Sequence, residues 1–341
     1  MNWVRGEKLG HGSFATVNLA VPRSQSSGLP PLMAVKSCGF SSSSSLMSEK
    51  LILEELKDCP EIIRCFGESF SYENGEKLYN VLLEYASGGS LADKLKNSGD
   101  RRLPEFEVRQ YTKALLKGLR YIHNSGYVHC DIKLQNILLC RNGVVKIADF
   151  GLAKRVEGRK REYSGTPLYM SPEMVAGGDQ GPAADIWALG CVAAEMLTGS
   201  PAWRCSDVAS LLMKIGVGDE LPEIPKNLSS DGKDFLGKCF VKDPSNRWTA
   251  EMLLNHPFIC DQDFEDEINT ASTSPRCPFD FPDNWESSVT CSITSLTLPE
   301  YSPESTLFGG GWSIAAAERL RELISDQYSD WSVTDDWVTV R

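Results

Sequence analysis

The stretch His129-Cys130-Asp131-Ile132-Lys133-Leu134-Gln135-Asn136, followed by Asp149-Phe150-Gly151, decides the fold of this chain. Two short apolar runs, at 138–139 and 144–147, lie between the motifs and flank an asparagine and a glycine. Such runs around a turn predict a β-hairpin. The hairpin would bring the second motif back beside the end of the first.

These motifs hold the residue types that transfer of a phosphoryl group from ATP to a hydroxyl requires. A carboxylate must orient the hydroxyl and accept its proton, which Asp131 can do. Oxygen ligands must hold Mg²⁺, and Asn136 and Asp149 can supply them. A cation must neutralise the migrating group, and Lys133 can provide that charge.

A glycine-rich turn lies upstream, at Leu9-Gly10-His11-Gly12-Ser13-Phe14-Ala15-Thr16-Val17. Small residues there let backbone N–H groups approach phosphate oxygens, although such a turn alone more often only joins two strands. Lys36 follows in Met33-Ala34-Val35-Lys36, and a lysine at a strand end is usually solvated. The pairing of turn and lysine favours a phosphate-binding role, with Glu49 as the carboxylate that holds Lys36.

The pattern along the chain is strands first and helices later. Before residue 85, short apolar runs predict strands, together with a helix over 46–57 that follows a flexible five-serine connector at 41–45. From about residue 90, helical spacing prevails, above all at 104–124 and 183–197. This order is typical of an α+β fold.

The charge is unevenly distributed over the 341 residues, whose formal net charge is −11. Residues 261–341 hold 16 acidic and 4 basic side chains, against 30 and 31 in 1–260. We therefore expect 260–341 to be an acidic, mostly disordered tail that regulates the protein or binds a signalling partner. The near-neutral body argues against nucleic acid as a partner.

Other classes of protein are also disfavoured by composition. The chain lacks an apolar run long enough to cross a membrane and a signal-peptide core at its start, so no membrane partner is expected. The eleven cysteines are scattered without a CxxC pair, and the four histidines are too few and too dispersed for a zinc site. These features predict reduced thiols in a cytoplasmic or nuclear protein.

In their order and spacing, the motifs resemble those of the protein-kinase family. Three further features agree with it: Ser171-Pro172-Glu173 in the place of A-P-E, Asp185-Ile186-Trp187-Ala188-Leu189-Gly190 as D-x-W-x-x-G, and Arg247 as the arginine that pairs with the A-P-E glutamate. The resemblance covers about 3–259. It implies a bilobal fold, with an antiparallel-sheet small lobe at 3–84 and a helical large lobe at 90–259.

The resemblance also implies roles for individual residues. ATP would lie between the lobes under the glycine-rich turn, and the Thr166 hydroxyl would bridge Lys133 and Asp131. The adenine pocket would have apolar walls, a residue guarding its back and two hinge residues whose backbone bonds the adenine edge: Leu9, Val17, Ala34 and Leu138 as the walls, Leu83 at the back, and Glu84 and Ala86 in the hinge.

Finer features resemble one subgroup of the family. Lys133, two residues after Asp131, is the choice of serine/threonine kinases. Gly165-Thr166-Pro167-Leu168-Tyr169-Met170-Ser171-Pro172-Glu173 resembles the G-T-P-x-x-M-[AS]-P-E segment of MAP kinase kinase kinases, and the whole chain resembles their short plant MEKK-like group. That likeness implies MAP kinase kinases as substrates, and stress or abscisic-acid-type hormone signalling as the context.

The sequence departs from the family pattern in three places. Cys130 replaces the arginine that normally clamps a phosphorylated activation loop, Leu134 replaces a proline, and Ala15 replaces the third glycine of the turn. A nucleotide-binding scaffold that acts by docking is the alternative to an active enzyme, and a tyrosine kinase is disfavoured by Lys133 and Thr166. An active enzyme is favoured because every group of the reaction is present: Lys36, Glu49, Asp131, Asn136 and Asp149.

Overall fold

The computed structural model describes residues 2–12, 15–24, 28–156 and 165–260. Ser13 and Phe14 of the glycine-rich turn lie outside these ranges, as does the acidic tail from residue 261 onward. The described residues form a small lobe rich in strands and a large lobe rich in helices. This arrangement confirms the predicted bilobal α+β fold.

The small lobe is a five-stranded antiparallel sheet. Its strands are β1 (Trp3–His11), β2 (Thr16–Pro22), β3 (Met33–Gly39), β4 (Cys65–Glu73) and β5 (Glu76–Glu84). They lie in the order β1-β2-β3-β5-β4. The β4–β5 hairpin turns at Asn74 and Gly75, whose φ angles are 51° and 84°. Positive φ at both positions is what a two-residue hairpin loop requires, and asparagine and glycine adopt it readily.

The prediction that 41–45 is a flexible connector is wrong. Residues Phe40–Ser42 form one 3-10 turn, and helix α1 (Ser44–Glu55) begins within the serine run. The reason is local hydrogen bonding, since the Ser43 hydroxyl donates to the carbonyl of Phe40 over 2.7 Å. Serine hydroxyls bond readily to nearby backbone in this way, and here they support the start of the helix.

Helix α1 turns one face toward the core. Leu46, Ile52 and Leu53 are buried there with the main hydrophobic cluster, and α1 packs against β4. Glu49 is the one charged side chain on this buried face. Because burying an unpaired carboxylate is costly, Glu49 requires a cationic partner.

The large lobe contains the two long helices that the sequence predicts and three short ones that it did not: α2 (Leu91–Asn97), α4 (Pro172–Val175) and α9 (Pro257–Cys260). Ser90 begins α2 with a capping box, in which its side chain and that of Asp93 each bond the other's backbone N–H. The helices are α2 (Leu91–Asn97), α3 (Glu105–Asn124), α4 (Pro172–Val175), α5 (Pro182–Thr198), α6 (Val208–Gly216), α7 (Ser230–Cys239), α8 (Ala250–Leu254) and α9 (Pro257–Cys260).

Two small antiparallel strand pairs carry the motifs of the large lobe. Strand β7 (Ile137–Leu139) pairs with β8 (Val145–Ile147), which is the predicted hairpin between the motifs. Strand β6 (Tyr127–Val128) pairs with β9 (Lys154–Arg155), so the chain before Asp131 lies beside the chain after Asp149.

Helix α5 passes through the middle of the large lobe and is apolar on nearly all sides. Its Trp187 is fully buried and meets the ring of Phe240 edge-on, with 5.3 Å between the ring centroids. This packing makes α5 a rigid support for the loop that precedes β7. Among the described residues, no helix is both long and apolar enough to span a bilayer.

Candidate active site

The carboxylate of Asp131 is held by three side chains. Lys133 Nζ lies 2.8 Å from Asp131 Oδ2, and the hydroxyl of Thr166 donates to Asp131 Oδ1 over 2.9 Å. Lys133 also donates to the Thr166 oxygen over 3.0 Å, so Thr166 bridges the two. Asn136 Nδ2 donates to Asp131 Oδ2 over 2.9 Å. Both carboxylate oxygens are thus fixed in a buried setting.

Asp185, which the sequence matched to a motif without a role, anchors the backbone of this loop. Its carboxylate accepts hydrogen bonds from the backbone N–H groups of His129, at 2.9 Å, and Cys130, at 3.0 Å. His123 Nε2 lies 2.9 Å from the same carboxylate. Burial alone would raise the pKa of Asp185, but the hydrogen bonds and the nearby histidines lower it below its ordinary value.

Cys130 adopts a left-handed backbone conformation, with φ of 70°. A residue with a β-carbon enters this region at a cost, and the hydrogen bond from its N–H to Asp185 helps to hold it there. The thiol is buried and lies 3.6 Å from the carbonyl of Val128. Burial raises the pKa of this thiol far above its ordinary value, so it stays neutral.

A second charged cluster joins the lobes. Lys36 Nζ lies 2.7 Å from Glu49 Oε2 and 2.8 Å from Asp149 Oδ1. Burial alone would lower the pKa of Lys36, but the adjacent carboxylates of Asp149 and Glu49 raise it above its ordinary value. Burial likewise favours protonated Asp149, yet Lys36 lowers the pKa of Asp149 to about 2. Lys36 and Asp149 therefore stay charged near neutral pH.

Oxygen donors for a divalent metal lie where the two motifs meet. The backbone N–H of Ala148 donates to the carbonyl of Asn136 over 2.9 Å, which brings the preceding loop beside Asp149. The amide nitrogen of Asn136 makes its hydrogen bonds to Asp131, so its amide oxygen is the atom that could ligate a cation. Among the described residues, no three His, Cys, Asp or Glu side chains cluster at a metal-binding spacing.

The predicted walls of the adenine pocket are apolar residues that pack against the main hydrophobic core. Ala34 on β3 pairs with Leu83 on β5, and both are buried. Leu9, Ala15, Val17 and Leu138 are partly buried against the same core. Apolar side chains of this kind are the type that contacts the flat face of a purine.

The glycine-rich turn joins β1 and β2. Gly10 pairs with Val17 and His11 with Thr16, and the N–H of Gly12 donates to the carbonyl of Ala15 over 2.9 Å. These contacts lie at the two ends of the turn, at 10–12 and 15–17.

The hinge after β5 connects the lobes. The backbone N–H of Glu84 donates to the carbonyl of Arg64 over 2.8 Å, so this N–H is already engaged. The Glu84 carboxylate lies 3.1 Å from Lys146 Nζ on β8. Ala86 follows at the start of the hinge and is half-buried.

Beyond Thr166, a buried ion pair fixes the chain. The guanidinium of Arg247 donates to both oxygens of Glu173, over 2.7 and 2.8 Å. The Arg247 side chain is 0% exposed and also donates to the carbonyls of Val241 and Ala183. This is the pairing that the resemblance implied, and it ties α4 to the loop between α7 and α8.

Comparisons with known proteins agree with this geometry. The protein kinase domain family matches residues 3–259. The chain is 50% identical to mitogen-activated protein kinase kinase kinase 20 of Arabidopsis thaliana over 361 aligned positions, which cover 100% of both chains. It is 40% identical to the Arabidopsis kinase kinase kinase 18, covering 100% of this chain and 99% of the relative. With the Arabidopsis kinase kinase kinase 17 it shares 43% identity over 76% of this chain and 70% of the relative.

These matches confirm the predicted likeness to the short plant group and the prediction of an ATP-dependent protein-serine/threonine kinase. ATP, together with a divalent metal, is what this family uses. The chain belongs to the protein kinase family.

Proposed function

We propose that this chain is a MAP kinase kinase kinase, which transfers the γ-phosphoryl group of ATP to serine or threonine residues of MAP kinase kinases. The arrangement around Asp131 carries the proposal, because Thr166, Lys133 and Asn136 all contact its carboxylate. The names of the relatives support the substrate class, since each is a mitogen-activated protein kinase kinase kinase.

In this proposal Asp131 orients the substrate hydroxyl and accepts its proton. Thr166 and Lys133 hold the carboxylate in its orientation, and Lys133 also offsets negative charge on the transferred group. Lys36, held by Glu49, would bind phosphate oxygens of ATP. Pre-organised charges of this kind act at no reorganisation cost during the reaction.

Mg²⁺ is the divalent ion that we propose for the site. The oxygens of Asn136 and Asp149 would hold it, and it would supply charge neutralisation at the phosphates. Mg²⁺ in phosphoryl-transfer sites takes one or two protein ligands and completes its shell with water and phosphate, which fits a pair of oxygen donors. The adenine would lie among the walls formed by Leu9, Val17, Ala34 and Leu138, with the glycine-rich turn over the phosphates.

The alternative is a nucleotide-binding scaffold that acts mainly by docking. The discriminating experiment offers labelled ATP and a panel of purified MAP kinase kinases to the full chain, with Asp131→Asn as the inactive control and Asp58→Asn as a matched change at an exposed carboxylate. Transfer to one member or more, lost in Asp131→Asn and kept in Asp58→Asn, is expected. If the wild type and both variants gave the same background labelling of the substrates, the result would favour the scaffold.

Three wider features are also proposals. We propose a role in stress or abscisic-acid-type signalling, which the likeness to the short plant group implies, so the activity recovered from cells should rise after hormone treatment. We place the protein in the cytoplasm or nucleus, which imaging of a tagged chain would test.

We propose that 261–341 regulates the kinase or binds a signalling partner, so a chain truncated after Cys260 should keep its ATP turnover and melting temperature but lose that regulation.

A further inference from the structure

Three residues from distant parts of the sequence meet at the edge of the small lobe, and we call them the Arg155 cluster: Arg155, Glu55 and Tyr127. Arg155 Nη2 donates to both carboxylate oxygens of Glu55, over 3.0 and 2.8 Å. The same guanidinium stacks over the Tyr127 ring, 4.7 Å from its centroid. The Tyr127 hydroxyl donates to Glu55 Oε2 over 2.9 Å, so each member contacts the other two.

The cluster joins the helix that carries Glu49 to two strands that lie next in the chain to the loops of Asp131 and Asp149. Glu55 is the last residue of α1, the helix that holds Glu49. Tyr127 lies on β6, which leads into the loop of Asp131, and Arg155 lies on β9, shortly after Asp149. Tyr127 and Arg155 are also direct partners across the β6–β9 pair. We call residues 151–171 the activation segment. The Arg155 guanidinium, on β9 near the start of this segment, therefore contacts residues of α1 and β6.

No cation is available from the position before Asp131. Cys130 stands there with a buried, neutral thiol that contacts the carbonyl of Val128. A phosphate on the activation segment would lack that partner. Arg155, in contrast, needs no phosphate, because its anionic partner is a glutamate already present on α1.

We propose that Arg155 is a positioning residue, which holds α1 and the start of the activation segment in the catalytic arrangement without phosphorylation. This inference rests on the proposed roles of Glu49, Asp131 and Asp149. The side chains of Arg155 and Glu55 are 60% and 51% exposed, so the ion pair is screened by salt and modest by itself. Ring stacking and the tyrosine hydroxyl add to it. The cluster is thus strong enough to favour the catalytic arrangement of α1 and the activation segment. It is also weak enough for that arrangement to be lost again.

The test compares Arg155→Ala, Glu55→Arg and the charge-reversed pair Arg155→Glu with Glu55→Arg in the full chain. Arg155→Ala should lower kcat roughly 3- to 30-fold, which is the scale of an exposed ion pair plus a cation–π contact, at an unchanged melting temperature. The charge-reversed pair should recover at least part of that loss. Arg120→Ala is the matched control, because Arg120 forms a comparably exposed ion pair with Glu251 in the large lobe and should leave kcat unchanged.

A second readout does not depend on activity. Hydrogen exchange of the backbone amides of 48–55 and 154–156 should accelerate in Arg155→Ala and not in Arg120→Ala. If the wild type transferred no phosphate, the proposed function would fail, and hydrogen exchange would still decide on the cluster. The proposal would be overturned if Arg155→Ala left both hydrogen exchange and kcat unchanged. It would also be overturned if the loss of kcat came with global unfolding and charge reversal did not recover it.

Discussion

The ammonium group of Lys36 lies 2.7 Å from the carboxylate of Glu49, which joins strand β3 to helix α1. The Glu49 side chain is only 3% exposed and that of Lys36 is 16% exposed. A pair of opposite charges this close and this buried fixes where the helix lies relative to the sheet. The same ammonium group lies 2.8 Å from Asp149, which follows β8. One cation therefore contacts carboxylates from both lobes.

Replacement of Lys36 by methionine should abolish phosphoryl transfer while leaving the fold intact. The loss of a pre-organised cation of this kind lowers the rate roughly 10²–10³-fold or more. The measurement is kcat with ATP and a protein substrate, alongside far-UV circular dichroism. Lys50→Met is the matched control, because Lys50 is about as buried as Lys36 but forms its ion pair with the exposed carboxylate of Glu54, one turn along α1. Near-normal turnover of the Lys36 variant would contradict the assignment.

Thr166→Ala should lower kcat without a matching change in the KM for ATP. The hydroxyl bridges Lys133 and Asp131 in the structure, and hydrogen bonds to charged groups contribute about 1.5–3 kcal/mol, roughly 10- to 150-fold in rate. Thr166→Ser keeps the hydroxyl and should retain most of the activity. Steady-state kinetics of both variants provides the check, and a serine variant as slow as the alanine variant would show that the methyl group matters instead.

The contribution of Asp149 to stability should depend on pH in the acid range. Because Lys36 lowers the pKa of Asp149 from 3.8 to about 2, the unfolded chain binds this proton first as the pH falls. The stabilisation is therefore complete above about pH 4 and is lost as the pH falls toward 2. The difference in unfolding free energy between the wild type and Asp149→Asn, measured with urea at each pH, should shrink across that window. A constant difference would contradict this account.

Arg247→Met should destabilise the large lobe by about 3–5 kcal/mol, because it leaves the buried carboxylate of Glu173 without its partner. Arg120→Met removes one side of an exposed pair and should cost no more than about 1 kcal/mol. Urea unfolding followed by tryptophan fluorescence measures both. A loss below about 1 kcal/mol for Arg247→Met would mean that solvent or another cation reaches Glu173.

Activity should respond weakly to phosphorylation of the activation loop. Cys130 cannot supply the arginine that couples a loop phosphate to Asp131, and that coupling is worth roughly 10- to 150-fold in the ordered population. The candidate phosphate acceptors, Tyr163 and Ser164, lie outside the described residues. Phosphatase treatment should therefore lower the rate less than about tenfold. A hundredfold drop that rephosphorylation restores would show that another cation provides the clamp.

Much of this fold could be predicted from local sequence patterns. The long helix α3 shows in apolar residues at helical spacing, and the β4–β5 hairpin in the Asn74-Gly75 pair. Helices α2, α4 and α9 were missed because seven, four and four residues are too few for a periodic pattern. The capping signal of Ser90 and Asp93 would have revealed α2. The serine run at 41–45 was misassigned because composition does not show which hydroxyls find a backbone carbonyl.

The residue types of the candidate site and their order along the chain were determined by the sequence alone, because the chemistry of phosphoryl transfer requires a particular set of groups. Only the tertiary structure decided which groups meet. Asp185 holds the backbone of Cys130 from 55 residues away, and Arg155 reaches Glu55 across 100 residues. Such contacts depend on how α5, α1 and β9 pack around a shared core, and local periodicity carries no information about that packing.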